Sequence, residues 1–166
     1  MEILEIKDLE TLAKKRVPKM FFDYVNSGSW TETTYNENVS DFQKIKLRQR
    51  VAIDMSNRTL ETKMINQPVS MPVAIAPTGL TGMQRADGEI LAAQAAEEFG
   101  IPYTLSTMSV CSIEAVAKKT TKPFWFQLYV MKDKKFMERL IDRAKEAKCS
   151  ALVLTLDLQL LGQRHK

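Results

Sequence analysis

Histidine and cysteine are scarce in this 166-residue chain, and their scarcity removes whole classes of chemistry. The one histidine, His165, is followed only by Lys166, so a multi-histidine metal site is excluded, and two cysteines cannot build a four-thiolate zinc site. A nucleophile paired with histidine would depend on that near-terminal residue, which is expected to be solvated. Cys111 and Cys149 are too few for a disulfide framework and suit a reducing compartment. Neither has the cationic neighbours that make a thiolate reactive, so both are expected to be buried thiols. No apolar run approaches the ~20 residues needed to span a bilayer, and the charged start from Glu2 onward is unlike a signal peptide. Neither G-x-G-x-x-G nor a P-loop occurs. The net charge is +4, but Lys118-Lys119 and Lys134-Lys135 are short pairs among alternating signs, so nucleic-acid binding is not expected.

What remains is an ordinary globular composition, 45% hydrophobic and 27% charged, on a chain long enough for a real core. Residues 1–50 read as helical. Asp8 is expected to cap a helix carrying Leu9, Leu12 and Ala13, and Pro18 to open a second that gathers Phe21, Phe22 and Val25 and stops near Gly28. Tyr35, Val39 and Phe42 have helical spacing in a third segment from Thr31 to Arg50. A short strand is expected over Thr62 to Ile65.

From Met71 the pattern changes. Val73 to Ala76 reads as a strand buried on both faces, followed by a helix from Gly88 to Phe99 with Leu91, Ala95 and Phe99 on one stripe and Gly100 at its end. Tyr103 to Leu105, Phe124 to Tyr129 and Ala151 to Leu156 read as three more strands. Between them lie helices capped by Ser112 and Asp133, the second stacking Phe136, Leu140 and Ala144. Trp125, Met131 and Met137 are expected in the core. The alternation β-α-β-α-β-α-β with short connections predicts a parallel sheet. Because four strands end about 20 to 30 residues apart, the pattern is that of a (β/α)8 barrel of which only the first four βα units are present. The expected division is a helical segment with a short strand, 1–70, and a half-barrel, 71–166.

Each strand ends in polar residues: Thr78, then Ser106 and Thr107, then Gln127 and Tyr129, then Thr155 and Asp157. In barrels such ends converge on one face, and hydroxyls with an amide suit a planar heterocycle of alternating donors and acceptors. The turn Pro77-Thr78-Gly79 after the first strand allows close backbone approach to a ligand.

Several ordered motifs then resemble one family. Pro18-Lys19-Met20-Phe21-Phe22-Asp23-Tyr24, Ile75-Ala76-Pro77-Thr78-Gly79, Thr104-Leu105-Ser106-Thr107, Phe126-Gln127-Leu128-Tyr129, Thr155-Leu156-Asp157 and Leu161-Gly162-Gln163-Arg164 resemble the FMN-dependent α-hydroxy-acid dehydrogenases and oxidases, from the N-terminal helices to the last residues. The resemblance implies FMN as cofactor and oxidation of a small L-2-hydroxy acid by hydride transfer to flavin N5. It places the backbone of Pro77, Thr78 and Gly79 near N5 and assigns Ser106, Gln127 and Thr155 to the flavin pyrimidine edge. It assigns Tyr24 and Arg164 to the substrate carboxylate and Tyr129 to its hydroxyl. Asp157 matches the carboxylate that orients the catalytic histidine.

That histidine, a lysine, the main carboxylate-binding arginine and the phosphate-binding glycines all lie further downstream in the family. The chain is therefore expected to be the N-terminal part of a split or truncated enzyme, inactive alone, with a C-terminal half chain as partner. The complete enzyme is expected to be a cytoplasmic homo-oligomer, or peripheral at the inner membrane. Met108 stands where the resembling glycolate oxidases carry an aromatic, which argues against glycolate, and Gly79 stands where several oxidases carry alanine, which favours a dehydrogenase passing electrons to a quinone or cytochrome. Another FMN- or phosphate-binding barrel enzyme would leave Tyr24 and Gln127-Leu128-Tyr129 unexplained. A non-catalytic basic assembly module is the remaining alternative.

Overall fold

The computed structural model describes residues 2–165. It divides into two compact units: one holds the residues up to Arg58 together with those from Leu160 onward, the other Thr59–Gln159. The expected 1–70 and 71–166 division differs from this. The short strand segment around Thr62 clusters with the sheet-bearing unit, and the last residues with the helices.

In the first unit, α1 (Ile6–Arg16) begins before Asp8, which is its third residue rather than its cap. The Asp8 carboxylate reaches back to accept from the Leu4 and Glu5 amides at 2.9 and 3.1 Å, satisfying donors that a helix start leaves open. Helix α2 (Lys19–Val25) follows Pro18 as expected and buries Phe22, while Val25 is exposed. The third segment is shorter than its spacing suggested. Helix α3 (Thr33–Ser40) tightens into a 3-10 turn, Asp41–Lys44, and the chain is extended by Ile45. Tyr35, Val39 and Phe42 are exposed.

In the second unit, the strand expected near Thr62 is half of a hairpin. Strands β1 (Thr62–Met64) and β2 (Gln67–Val69) pair antiparallel, joined by Ile65 and Asn66, both at positive φ. That two-residue geometry matches strand twist. The segment Val73–Ala76 is not the doubly buried strand expected. It contributes one parallel bridge, Ile75 to Tyr103, with Val73 half exposed.

The short α4 (Thr81–Gln84) then leads to α5 (Gly88–Phe99), β3 (Thr104–Leu105), α6 (Ile113–Lys119), β4 (Trp125–Tyr129), α7 (Lys134–Glu146) and β5 (Ala151–Thr155). Strands β3, β4 and β5 form a parallel sheet in that order, with Phe126 opposite both Leu105 and Leu152.

Strand alternation separates two faces. Leu105, Phe126 and Leu128 join Ile113, Val116, Leu140 and Ala144 in the buried layer under the helices, each large side chain stabilising by roughly 1.5–3 kcal/mol. Helix α5 meets this layer through Ala93 and Ala96, whereas the predicted stripe of Leu91, Ala95 and Phe99 is exposed. Alanine permits the closer approach. Gly100 ends α5 in the left-handed conformation, and Ser112 and Asp133 cap α6 and α7 by accepting from the Ala115 and Phe136 amides. Trp125 is buried, but Met131 and Met137 are only half-buried, as are Cys111 and Cys149. Strand β5 is the edge, with Leu152 and Leu154 exposed on its outer side.

Helices α6 and α7 are tied by Arg143, whose Nε and a terminal nitrogen donate to Glu114 at 2.6 and 2.8 Å. This partner holds the Glu114 carboxyl down at about 2, against an ordinary 4.5. The depressed value means the pair stabilises fully above the ordinary value and fades as pH falls towards the lower one. The pair is solvent-exposed, so its worth is at most about 1 kcal/mol. Urea midpoints should therefore separate wild type from Glu114→Gln near neutrality, with the gap narrowing below the ordinary value of 4.5 and closing only as the pH falls through about 2.

Candidate functional site

The polar strand ends form one connected row. Ser106 follows β3, Gln127 lies in β4 and Thr155 closes β5. Ser106 and Gln127 are almost wholly buried, at 3% and 1% exposure, and Thr155 is half-buried. The Gln127 side-chain oxygen accepts from the Ser106 hydroxyl at 3.3 Å and from the Thr107 amide at 3.2 Å, and its Nε2 donates to Thr155 Oγ1 at 2.8 Å. The Thr107 hydroxyl donates to the Gln127 carbonyl, and the Met108 amide to Ser106 Oγ at 3.0 Å.

Gln127 stands opposite Val153 in register, so its amide reaches one step along the same face of β5 to find Thr155. Three strands thus converge through one side chain. The row leaves donors at its open end: Nε2 carries a second hydrogen, and the Thr155 hydroxyl, having accepted, still has its own to give. Such a set fits the carbonyl and ring-nitrogen acceptors of a flat heterocycle.

The loop after Ile75 lies alongside. Pro77 and Thr78 are exposed and Gly79 is half-buried. Thr81 Oγ1 donates to the Thr78 carbonyl at 3.1 Å, and the Leu80 amide to the Met108 carbonyl at 2.9 Å, which joins this loop to the one after β3. Among the described glycines only Gly100 has a positive φ, so the backbone at Gly79 does not itself require glycine.

Tyr129, half-buried, pairs with Thr155 at the end of β4, and Asp157 is exposed two residues beyond β5. In the other unit, the Arg164 guanidinium stacks over the Tyr24 ring, 4.6 Å from its centroid, and donates to the Tyr24 carbonyl. The two expected carboxylate ligands are thus neighbours despite their distance in sequence. His165 is exposed and meets the Trp30 ring edge-on at 6.0 Å. Burial pushes the Cys149 thiol up to about 11, and burial and then Glu89 raise Cys111, so both thiols are protonated near neutrality.

Sequence reasoning missed Glu89, the second residue of α5, which is fully buried and accepts from the amides of Gly82 and Val110 at 2.9 Å each. Its only signal was a carboxylate at i−4 and i−7 to the alanines of the sheet-facing side.

The sequence pattern of FMN-dependent dehydrogenases matches residues 13–166. An L-lactate dehydrogenase of Acinetobacter baumannii is 50% identical over 159 residues, covering 96% of this chain and 42% of that protein. One from Acinetobacter baylyi is 48% identical over the whole chain and 43% of its own length. Among solved structures, a soluble mutant of the membrane-associated (S)-mandelate dehydrogenase from Pseudomonas putida superposes with a TM-score of 0.92 at 35% identity, over 98% of this chain and 46% of that one. The chain spans less than half the length of these relatives. The fold is of (β/α)8-barrel type, present in part. Among the described residues no helix is long and apolar enough to cross a membrane.

Replacing Gln127 by Leu leaves the buried Ser106 hydroxyl without its acceptor and removes the partner of the Thr107 amide. A loss of about 1–3 kcal/mol per buried group left unsatisfied should appear as a lower urea midpoint with an unchanged slope.

Proposed function

The chain belongs to the FMN-dependent dehydrogenases, and on that premise we propose that it forms the flavin-facing N-terminal part of an enzyme oxidising a small L-2-hydroxy acid, of lactate type, to the 2-oxo acid. The observation that carries this reading is the buried Ser106–Gln127–Thr155 row, with donors left at its open end. FMN, when bound, supplies the two-electron acceptor that an α-hydrogen needs in order to leave as a hydride equivalent.

This chain's residues supply binding and orientation. Ser106, Gln127 and Thr155 would hold the pyrimidine edge. The backbone of Pro77, Thr78 and Gly79 would lie against the reacting side of the ring. Tyr24 and Arg164 are assigned to the substrate carboxylate: a phenol and a guanidinium are suitable donors to it. Tyr129 would donate to the substrate hydroxyl and to the carbonyl that develops from it. Asp157 would orient an imidazole supplied by the remaining polypeptide and stabilise it once protonated.

The lactate class is supported by the L-lactate dehydrogenases that match at 48–50% identity. Met108 argues against glycolate, and Gly79 favours a dehydrogenase with a quinone or cytochrome acceptor, which would place the complete enzyme in the cytoplasm or peripherally at the inner membrane.

The purified chain with FMN and L-lactate should show no turnover. Mixing it with the C-terminal part of the A. baumannii relative should restore a bound-flavin spectrum and lactate-dependent dye reduction. In that mixture, Asp157→Asn should slow turnover by at least ~10²-fold. Turnover by the chain alone would refute incompleteness. A mixture that binds FMN but ignores lactate would refute the substrate class.

A further inference from the structure

Glu89 is costly to keep where it is. A carboxylate with no solvent exposure must be compensated by hydrogen bonds or it destabilises the fold. Here Oε1 accepts two backbone amides, and Oε2 has no hydrogen-bond partner among the described residues. Burial raises its pKa, but the amides of Val110, Gly82 and Glu89, with the Cys111 thiol beside them, more than offset this, so the group stays ionised. The helix packs on the core through Ile90, Ala92, Ala93 and Ala96, all apolar, so Glu89 is the exception on that side.

What the carboxylate holds is two different loops. The Gly82 amide lies in the first turn of α4, directly after the loop that carries Thr78 and Gly79, and the Val110 amide lies within the loop after β3 that carries Ser106 and Thr107. Two independent features show that these loops are pressed together. The Leu80 amide donates to the Met108 carbonyl with Leu80 at φ +56°, a conformation that leucine rarely adopts. A side chain added at Gly82 would lie 2.6 Å from Val110 Cβ and 3.0 Å from Glu89 Oε2, so only glycine permits the approach.

We propose that Glu89 is a positioning residue, whose buried carboxylate clamps the loop after Ile75 to the loop after β3 and so sets the separation between Thr78-Gly79 and Ser106-Thr107. The clamp stands on geometry alone; its consequence for cofactor binding rests on the flavin reading above.

Native-state hydrogen exchange on the full 166-residue chain tests the clamp without flavin. In Glu89→Gln, which keeps the shape but removes the charge, the Gly82 and Val110 amides should lose about tenfold in protection. In Glu89→Leu they should lose more, while amides of α7 and of the β4–β5 ladder remain as in wild type. If the leucine variant does not fold, the glutamine variant decides.

In the chain mixed with the complementing half, Glu89→Gln should raise the FMN dissociation constant about tenfold and alter the visible flavin spectrum. Gly82→Ala, which leaves Glu89 intact but forces the loops apart, should do the same. Three results would overturn the proposal: unchanged protection at both amides, equal loss across the whole chain, or lost protection with unchanged FMN affinity. A wild-type mixture that takes up no flavin would refute the flavin reading instead, and the exchange data would then decide the clamp.

Discussion

One buried amide governs the rim of this sheet. Gln127 sits at almost zero exposure in the central strand, where an unsatisfied polar group is costly. Among the described residues, the groups that satisfy it come from the strands on either side. Its oxygen takes donors from the residues after β3 and its nitrogen gives to the last residue of β5. Strand register, the polarity of the strand ends and the direction of the donors left over are therefore one constraint. A slip of β5 by one residue would turn Thr155 to the other face and leave the amide without its acceptor.

The opposite face answers to packing alone. Leu105, Phe126 and Leu128 need a close apolar cover, and Ala93, Ala96 and Ala144 let helices provide it at short range. Once the helices lie that close, the loops joining them to the strands must be short, and short loops bring neighbouring strand ends together. The crowding at Gly82 and the left-handed Leu80 are costs of this arrangement. They fall where the proposed cofactor would touch the backbone, the kind of place where strain tends to be kept.

Much of this was legible from local chemistry. Ser112, Asp133 and Gly100 act as caps because their side chains, or the lack of one, meet the needs of helix ends independently of the rest of the fold. The strand ends were legible because apolar runs stop at Ser106, Gln127 and Thr155. The failures have a common cause in tertiary context. Leu91 and Phe99 have helical spacing, yet the sheet selects the smaller alanine face. Val73 to Ala76 is apolar enough for a strand, but it forms only the Ile75 bridge. Ile65-Asn66 does not look like a hairpin turn, although both residues adopt the positive φ it requires. Stacking of Arg164 on Tyr24, and Glu89's hold on two loops, depend on contacts between residues far apart in sequence, which periodicity does not encode.

Strand β5 shows what such a sheet still demands. Parallel strands are ordinarily covered on both faces. Central β4 meets that condition through most of its length, whereas β5 alternates between half-buried and exposed residues. Leu152 and Leu154 stand on the exposed side, at 48% and 47% exposure, and covering the remaining half of each would contribute roughly 1 kcal/mol. On the proposed reading, the polypeptide that supplies the catalytic imidazole is also the one that covers this face. Completion of the core and completion of the active site would then be driven by the same burial, so that cofactor capture follows closure of the barrel. The half-buried Thr155 is where the two meet, for it is at once the edge of the sheet and the outer end of the Gln127 row.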